Sequence, residues 1–208
     1  VDASSDAEHI SYFTPRTQGL QFGISYIPTK NEDVQNRALA STDDTEGWSV
    51  GVNYNKKFGG IGLGVAAGYA TANESTLDKN DPEITGFGVK VDFSGFRVGM
   101  SMVESEDPGT AASTGSNGQK TFEAGAKYTM GAHAFSVQYL NGKATSRDTA
   151  RSSDETTLFW LAYRRTLGPG VSWKVSAIFA DFQDGASGAA AGNSNDGSAL
   201  TTAIQVRF

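Results

Sequence analysis

The chain has 208 residues, of which 25 are glycine and 38% are hydrophobic, and its formal net charge is -6. No apolar run reaches the roughly 18 residues of a membrane-spanning helix, and the absence of cysteine excludes disulfide bonds and cysteine-ligated metals. The acidic balance and the scattered basic residues argue against a nucleic-acid partner, because nucleic-acid phosphates attract clustered lysine and arginine.

Strand-like segments alternate with short and long connections along the whole chain. HISYFTP passes through RTQG into LQFGISYI, and after a polar stretch WSVGVNYNKKF turns at GG into IGLGVAAGYA. ITGFGVKVDF then turns at SG into FRVGMSMV, TFEAGAKYTM at GAH into AFSVQYL, and TTLFWLAYRRTL at GPG into VSWKVSAIFADF, before TTAIQVRF. Short glycine-rich turns join antiparallel neighbours. The pattern predicts an all-β, antiparallel up-and-down meander of about eleven strands, as one domain over residues 1–208.

Each predicted strand has one apolar face, and alternation alone leaves open whether a protein core or lipid covers it. A soluble β-sandwich is therefore the alternative fold. Three features favour lipid: the connections sort strictly into short and long, the opposite face is small and polar as in Gly62, Gly64, Ala66 and Gly68, and aromatic residues gather at the strand ends. These aromatic residues are Phe58, Phe93, Phe96, Tyr128, Phe135 and Trp173 near short turns, and Tyr26, Trp48, Tyr69, Tyr139 and Phe179 near long loops. The sequence predicts a transmembrane β-barrel, whose closed sheet pairs the backbone within hydrocarbon.

Three stretches resemble the Gram-negative general porins, most closely the alphaproteobacterial type. They are ISYFTPRTQGLQFGISYIP (10–28), LGPGVSWKVSAIFADF (167–182) and the terminal Phe208. The resemblance implies a sixteen-stranded outer-membrane barrel, commonly a homotrimer, through which ions and small hydrophilic solutes diffuse passively and which has no enzymatic activity. It also implies contact with outer-membrane lipid and lipopolysaccharide, and recognition of Phe208 by the barrel-assembly machinery as an assembly signal.

The predicted strand number departs from that family pattern. About eleven strands would leave unpaired sheet edges in lipid if the barrel had sixteen. HISYFTP resembles a strand from the middle of the family barrel. We therefore expect the chain to be the carboxy-terminal two-thirds of a porin, with residues 1–8 as a candidate tail of the inward-folded constriction loop. A smaller complete barrel is the alternative.

Strand parity predicts which charged residues line the lumen, whose width and charges set the selectivity of a diffusion pore. These residues are Lys90, Asp92, Arg97, Glu123, Lys127, Lys174 and Arg207. The resemblance implies a basic wall facing acids of the constriction loop, and four candidates for this wall are Arg97, Lys127, Lys174 and Arg207. The alternative is a set of scattered charges with little effect on conduction. Parity does not decide whether Arg164 or Arg165 faces inward, because LFWLAYRR is apolar on both parities.

Other chemistry has weaker support in the sequence. The acidic segments NEDVQ, STDDTEG, NDPE and ESEDP suggest loop-bound Ca²⁺ but lack a fixed ligand spacing, so no resident cofactor is expected. His9 and His133 are the only histidines, and we interpret both as surface residues rather than as members of a Ser-His-acid triad. Two alternatives to the channel remain: an outer-membrane receptor barrel whose long loops bind a partner, and an enzyme of the phospholipase type.

Overall fold

The sheet contains every strand that the sequence predicts. The computed structural model describes residues 8–29, 45–73, 81–106, 116–146, 153–185 and 193–207. The strands are β1 (Ile10–Phe13), β2 (Leu20–Thr29), β3 (Thr45–Phe58), β4 (Ile61–Asn73), β5 (Glu83–Phe93), β6 (Phe96–Glu106), β7 (Ser116–Met130), β8 (His133–Ser146), β9 (Asp154–Gly168), β10 (Val171–Gln183) and β11 (Asn195–Val206). They form one 11-stranded sheet in the order of the sequence, and every pairing is antiparallel. The predicted all-β meander is confirmed.

The short and long connections lie at opposite ends of the sheet. Four two-residue connections are Gly59–Gly60, Ser94–Gly95, Gly131–Ala132 and Pro169–Gly170. At Ser94 and Gly95 the φ angles are 45° and 85°, as a type I′ turn between twisted strands requires. Because each strand reverses the chain, all of these turns share one end, which we call the turn end. The six-residue connection 14–19 between β1 and β2 also lies at the turn end, and the five longer connections share the other end, which we call the loop end.

The strands continue well beyond the apolar runs from which their limits were predicted. β6 extends to Glu106, β7 begins at Ser116, β8 extends to Ser146 and β11 begins at Asn195, all within segments predicted as loops. Those predicted limits are wrong, because ladder hydrogen bonds join backbone groups whatever side chains they carry. Two predictions lie largely outside the described residues: the assembly signal at Phe208, and the candidate loop tail, of which only the exposed Glu8 is described.

The register separates the two faces of the sheet across all its strands, because directly paired residues point the same way. We call one the apolar face; a representative row is Leu20, Tyr54, Val65, Val89, Met100, Ala124, Tyr139, Phe159, Phe179 and Ser198. We call the other the polar face; a representative row is Asn55, Gly64, Lys90, Gly99, Gly125 and Gln138. A slip of one residue would exchange the faces.

No protein core covers the apolar face in the described part of the chain. Only Ala72 and Ala134 are buried hydrophobic residues there. Large side chains of the apolar face are exposed instead, including Phe22 at 52%, Met100 at 51% and Leu200 at 79%. Soluble monomers rarely expose contiguous apolar patches larger than a few hundred Å². This face therefore favours a lipid-facing sheet over the soluble sandwich.

Candidate functional site

Aromatic rings form a band of two clusters on the apolar face at the turn end. Phe96 stacks on Phe93 at 5.4 Å and on Tyr128 at 4.3 Å between ring centroids. Further along, Tyr163 contacts Phe135 at 5.1 Å and Trp173 at 6.0 Å. The band follows from the sequence, because each of these strands carries an aromatic residue near its short turn. Amphipathic rings at one level are typical of a membrane–water interface.

A second aromatic level lies toward the loop end of the apolar face. Tyr26 and Trp48 approach to 4.6 Å and Phe122 and Tyr139 to 6.5 Å between ring centroids. On β4, residues 61–69 connect the two aromatic levels. The length of this stretch is close to the roughly 9–11 residues that a tilted transmembrane strand needs. The apolar face thus has the height of a membrane band.

A basic cluster occupies the polar face near the turn end of β3 to β7. Successive register partners form a row across these strands: Lys57, Gly62, Asp92, Arg97 and Lys127. The Nε atom of Arg97 donates to Oδ1 of Asp92 at 2.6 Å. Arg97 and Lys127 are like charges directly opposite each other, an arrangement that costs stability and that Asp92 relieves on one side only.

Glycine shapes the next row of the polar face, toward the loop end. A Cβ atom on Gly64 would lie 2.5 Å from Cε of Lys90 and 2.8 Å from Oδ1 of Asn55, so the lysine side chain lies across the bare backbone of β4. On the other side of Lys90, Gly99 and Gly125 pair directly, and neither has a side chain that projects from the sheet. The cations therefore border a shallow strip of backbone rather than a packed layer of side chains.

Glu123 is set apart from the basic cluster. It pairs with Ser101 on β6 and Leu140 on β8, further toward the loop end than Arg97 and Lys127. The structure thus brings together Lys90, Asp92, Arg97 and Lys127. Glu123 lies on the same face, nearer the loop end. That this face lines a pore stays a prediction.

The remaining cations form a second group on β9 to β11. Lys174 pairs with Arg164, which in turn pairs with Ala134, so Arg164 lies on the polar face. Arg165 lies on the apolar face, where it pairs with His133 and Trp173. The register resolves the alternative that strand parity left open.

Arg207 lies just beyond the last residue of β11. Its backbone N–H donates to the carbonyl oxygen of Gly170 at 2.8 Å, so the turn of β9 and β10 holds it in place. Gln205, two residues earlier, pairs with Ser172 on the polar face. The four residues predicted as one basic wall thus divide, with Arg97 and Lys127 in one group and Lys174 and Arg207 in the other. Ala134 and Ser136, on the polar face of β8, lie between the groups.

Sequence reasoning missed two features of the polar face. The first is Lys57, which lies on the polar face. It shares the parity of Asn53 and Asn55, and this parity was sufficient to predict its face. The second is a patch of larger apolar side chains on β8 to β10, comprising Leu140, Leu158, Trp160, Ile178 and Phe182. The prediction of a small, polar face holds for β3 and β4 and is wrong for this part; the apolar character of LFWLAYRR on both parities was its only sign.

The structure gives little support to metal or triad chemistry. The Nδ1 atom of His133 lies 2.8 Å from the hydroxyl of Tyr163, at the aromatic band. Within residues 8–29, 45–73, 81–106, 116–146, 153–185 and 193–207, no three metal-ligating side chains cluster. Much of the acidic segments suggested for Ca²⁺ lies outside the described residues. The described part also contains no helix that is long and apolar enough to cross a membrane.

The Gram-negative porin family matches residues 1–186 of the chain. The chain belongs to the Gram-negative porins. Membership places this porin in the outer membrane of a Gram-negative bacterium, in a family of channels rather than enzymes. Among proteins with curated descriptions, none matches its sequence.

Solved porin structures resemble the whole sheet. OmpF of Salmonella typhi, in complex with daunomycin, is 17% identical, with a TM-score of 0.66 over 94% of this porin and 61% of OmpF. The anion-selective porin of Comamonas acidovorans is 14% identical, with a TM-score of 0.61 over 95% and 57% of the two chains. OccAB4 of Acinetobacter baumannii is 12% identical, with a TM-score of 0.65 over 96% and 52%. At these identities the likeness shows the fold, and this porin spans less than two-thirds of each neighbour's length.

Proposed function

We propose that this porin forms the wall of a water-filled channel through which ions and small hydrophilic solutes diffuse passively across the outer membrane. The proposal depends on one observation. A single-layered sheet has an exposed apolar face on one side and, on the other side, a polar face that carries charged side chains and glycines. Only a water-filled lumen hydrates such a polar face while lipid covers the apolar face. Conduction then needs no catalytic residue, and we assign none.

We further propose that additional strands close the barrel, to sixteen in total as the resemblance implies. In the described residues β1 pairs only with β2 and β11 only with β10, and open edges are not stable in hydrocarbon. The neighbouring structures are longer chains, which supports this proposal. Assembly as a homotrimer, recognition of Phe208 by the assembly machinery, contact with lipopolysaccharide and the alphaproteobacterial type remain predictions from the resemblance.

The charges of the polar face favour anions as the preferred solutes. In the described rows the cations are Lys57, Lys90, Arg97, Lys127, Arg164 and Lys174, whereas the acids are Asp92, Glu123 and Asp154. Of the acids only Asp92 lies in the basic cluster, and Arg97 already binds it. Walls of one sign concentrate counter-ions in a narrow aqueous passage. We therefore propose a channel that prefers anions to cations.

Planar bilayers test this function directly. The full-length protein should produce step increases in current that are proportional to voltage. Under a KCl gradient, the reversal potential should have the sign of chloride preference. Detergent without protein is the control. A silent bilayer would contradict the channel, and a reversal potential of the potassium sign would contradict only the proposed anion preference.

The receptor alternative depends on the long connections, most of which lie outside the described residues. No contact in the described part favours it, so the channel is the function that the geometry supports best. A receptor that also conducts would pass the bilayer test, and deletion of the segment STDDTEG would then abolish partner binding while conductance persisted.

A further inference from the structure

Five large apolar side chains lie together on the polar face, which the proposed channel exposes to water. Leu140 and Leu158 are direct register partners, as are Trp160 and Ile178, and Phe182 lies further toward the loop end of β10. We call these five residues the β8–β10 patch. Trp160 has 44% of its surface exposed. Contact of large apolar side chains with water is unfavourable, so the patch offers binding free energy to any molecule that covers it.

Two cations lie on the same strands and the same face, nearer the turn end. Arg164 of β9 and Lys174 of β10 are direct register partners, and both are exposed. Like charges in that arrangement repel. Within the part of the chain that the structure describes, no carboxylate forms an ion pair with either of them. An anionic group between the two side chains would relieve the repulsion and accept their N–H donors.

A short strip of small residues separates the patch from the cations. Between Trp160 and Arg164 on β9, only Ala162 lies on the polar face. Its register partner on β10 is Ser176, whose hydroxyl oxygen lies 2.7 Å from that of Thr201. Four residues of a strand span about 13 Å between Cα atoms, and a long cationic side chain covers part of that span. An apolar surface and a double positive charge therefore lie within the length of one small organic molecule.

We propose that the polar face of β9 and β10 binds carboxylates that have an apolar body, with the body on the β8–β10 patch and the carboxylate between Arg164 and Lys174. Ligand sites are commonly apolar surfaces on which a few polar groups fix the orientation of the ligand. A hydrophilic anion would gain only the charge interaction, and a neutral apolar solute only the patch. The proposal deepens the proposed function and rests on it, because such a ligand reaches the site through the water-filled lumen.

The competing occupant of the patch is a segment of the chain that folds inward, as the resemblance implies for the constriction loop. Residues 1–8, the candidate tail of that loop, read VDASSDAE and contain only one large apolar side chain, that of Val1. They are therefore a poor complement to five large apolar residues. A covering segment would also shield Trp160 from every added solute, so the two occupants differ in a measurable property.

The test follows the fluorescence of Trp160 in full-length protein in mild detergent. The chain has three tryptophans, and the variant W48F/W173F, the parent for this test, retains only Trp160. The probe is para-nitrophenylbutyrate, whose nitrophenyl ring quenches an indole that it contacts. Quenching should saturate, and phenylbutyrate should reverse it by competition. The neutral para-nitrophenylbutyramide, and gluconate as a hydrophilic competitor, should each bind roughly tenfold more weakly than the corresponding apolar carboxylate.

Variants of the two cations test the carboxylate end of the site. In the parent, R164Q/K174Q should weaken binding of para-nitrophenylbutyrate roughly tenfold and leave that of the neutral amide unchanged. The matched control K90Q/K127Q removes two charges from β5 and β7 instead and should bind the probe like the parent, because salt screens charges beyond about 10 Å. R164K/K174R keeps both charges and should retain binding, which covers the case that the double glutamine variant fails to fold.

Variants of the patch test the apolar end. L158S/I178S retains the Trp160 reporter and should weaken binding of the acid and of the neutral amide alike, each roughly tenfold. Equal affinity of the parent for the acid and the amide would overturn the proposal, as would equal affinity of R164Q/K174Q and K90Q/K127Q for the acid. Absence of quenching, with Trp160 also shielded from acrylamide, would overturn it in favour of an inward-folded segment. Because quenching is measured without current, a silent bilayer beside saturable quenching would contradict the channel and leave the binding site.

Discussion

Replacing Met100 by arginine is expected to lower the free energy of unfolding of the membrane-inserted porin by about 2–4 kcal/mol. Met100 lies on β6 between the two aromatic levels, with 51% of its surface exposed on the apolar face. A guanidinium group at this depth loses its hydration and has no acid beside it, because its register partners are Val89 and Ala124. Denaturant unfolding of the protein refolded into lipid vesicles measures the effect.

The neighbouring residue supplies the matched control. Ser101 lies on the polar face, and its register partner on β7 is Glu123. Ser101→Arg introduces the same side chain one position away, where water and a carboxylate meet it, so its effect should stay within about 1 kcal/mol. Equal losses of stability for the two variants would show that both faces meet the same medium, and the assignment of lipid to the apolar face would then be wrong.

Reversing the charges of Lys90 and Lys127 is expected to reverse the ion preference of the channel. A unit charge acts on an ion about 10 Å away in water with roughly 0.4 kcal/mol. Two lysine-to-glutamate changes shift the net charge by four units, or about 1.7 kcal/mol per monovalent ion before screening, which corresponds to roughly a fifteenfold fall in the partition of an anion; the equal and opposite effect on a cation changes the anion-to-cation permeability ratio further in the same direction. Reversal potentials under a KCl gradient at low ionic strength measure it, and added salt should weaken the effect.

Lys56 serves as the control for this prediction. It lies on the apolar face, where its ammonium nitrogen is 5.6 Å from the centroid of the Phe58 ring, beside the Lys57 that faces the other way. Lys56→Gln removes a positive charge without changing the polar face, so the permeability ratio should remain that of the wild type. An unchanged ratio in the Lys90→Glu, Lys127→Glu double variant would show that the basic cluster does not face the conducting path.

The strand order and the two faces were predictable from the sequence because both depend on local rules. Side chains of a strand alternate with a period of two, and two-residue turns such as Ser94–Gly95 permit only antiparallel neighbours. The apolar residues Val98 and Met100 and the polar Ser101 therefore fall on their observed faces without any knowledge of other strands. The faces of Lys90, Arg97 and Lys127 follow in the same way.

The limits of the strands and the grouping of the charged side chains were not predictable from the sequence, because both depend on partner residues far away in the chain. Lys120 and Glu104 lie in segments that read as polar loops, yet ladder hydrogen bonds continue through them and bring the side chains together. The choice between Arg164 and Arg165 needed the register with Lys174, since both parities of that strand are apolar. The face of Glu104 was not predictable for the same reason, since no alternation marks the polar residues 104–106 as part of a strand.

The proposed channel requires the apolar face to touch acyl chains and the polar face to meet water. Since the chain contains no cysteine, single cysteines can be introduced at Val137 and Gln138 of β8, and at Val98 and Ser101 of β6, and spin-labelled in vesicles. We expect molecular oxygen, which concentrates in lipid, to relax the labels at Val98 and Val137, and a water-soluble nickel chelate to relax those at Ser101 and Gln138. Labels at Val98 and Val137 that respond to the nickel chelate, or to neither reagent, would contradict it.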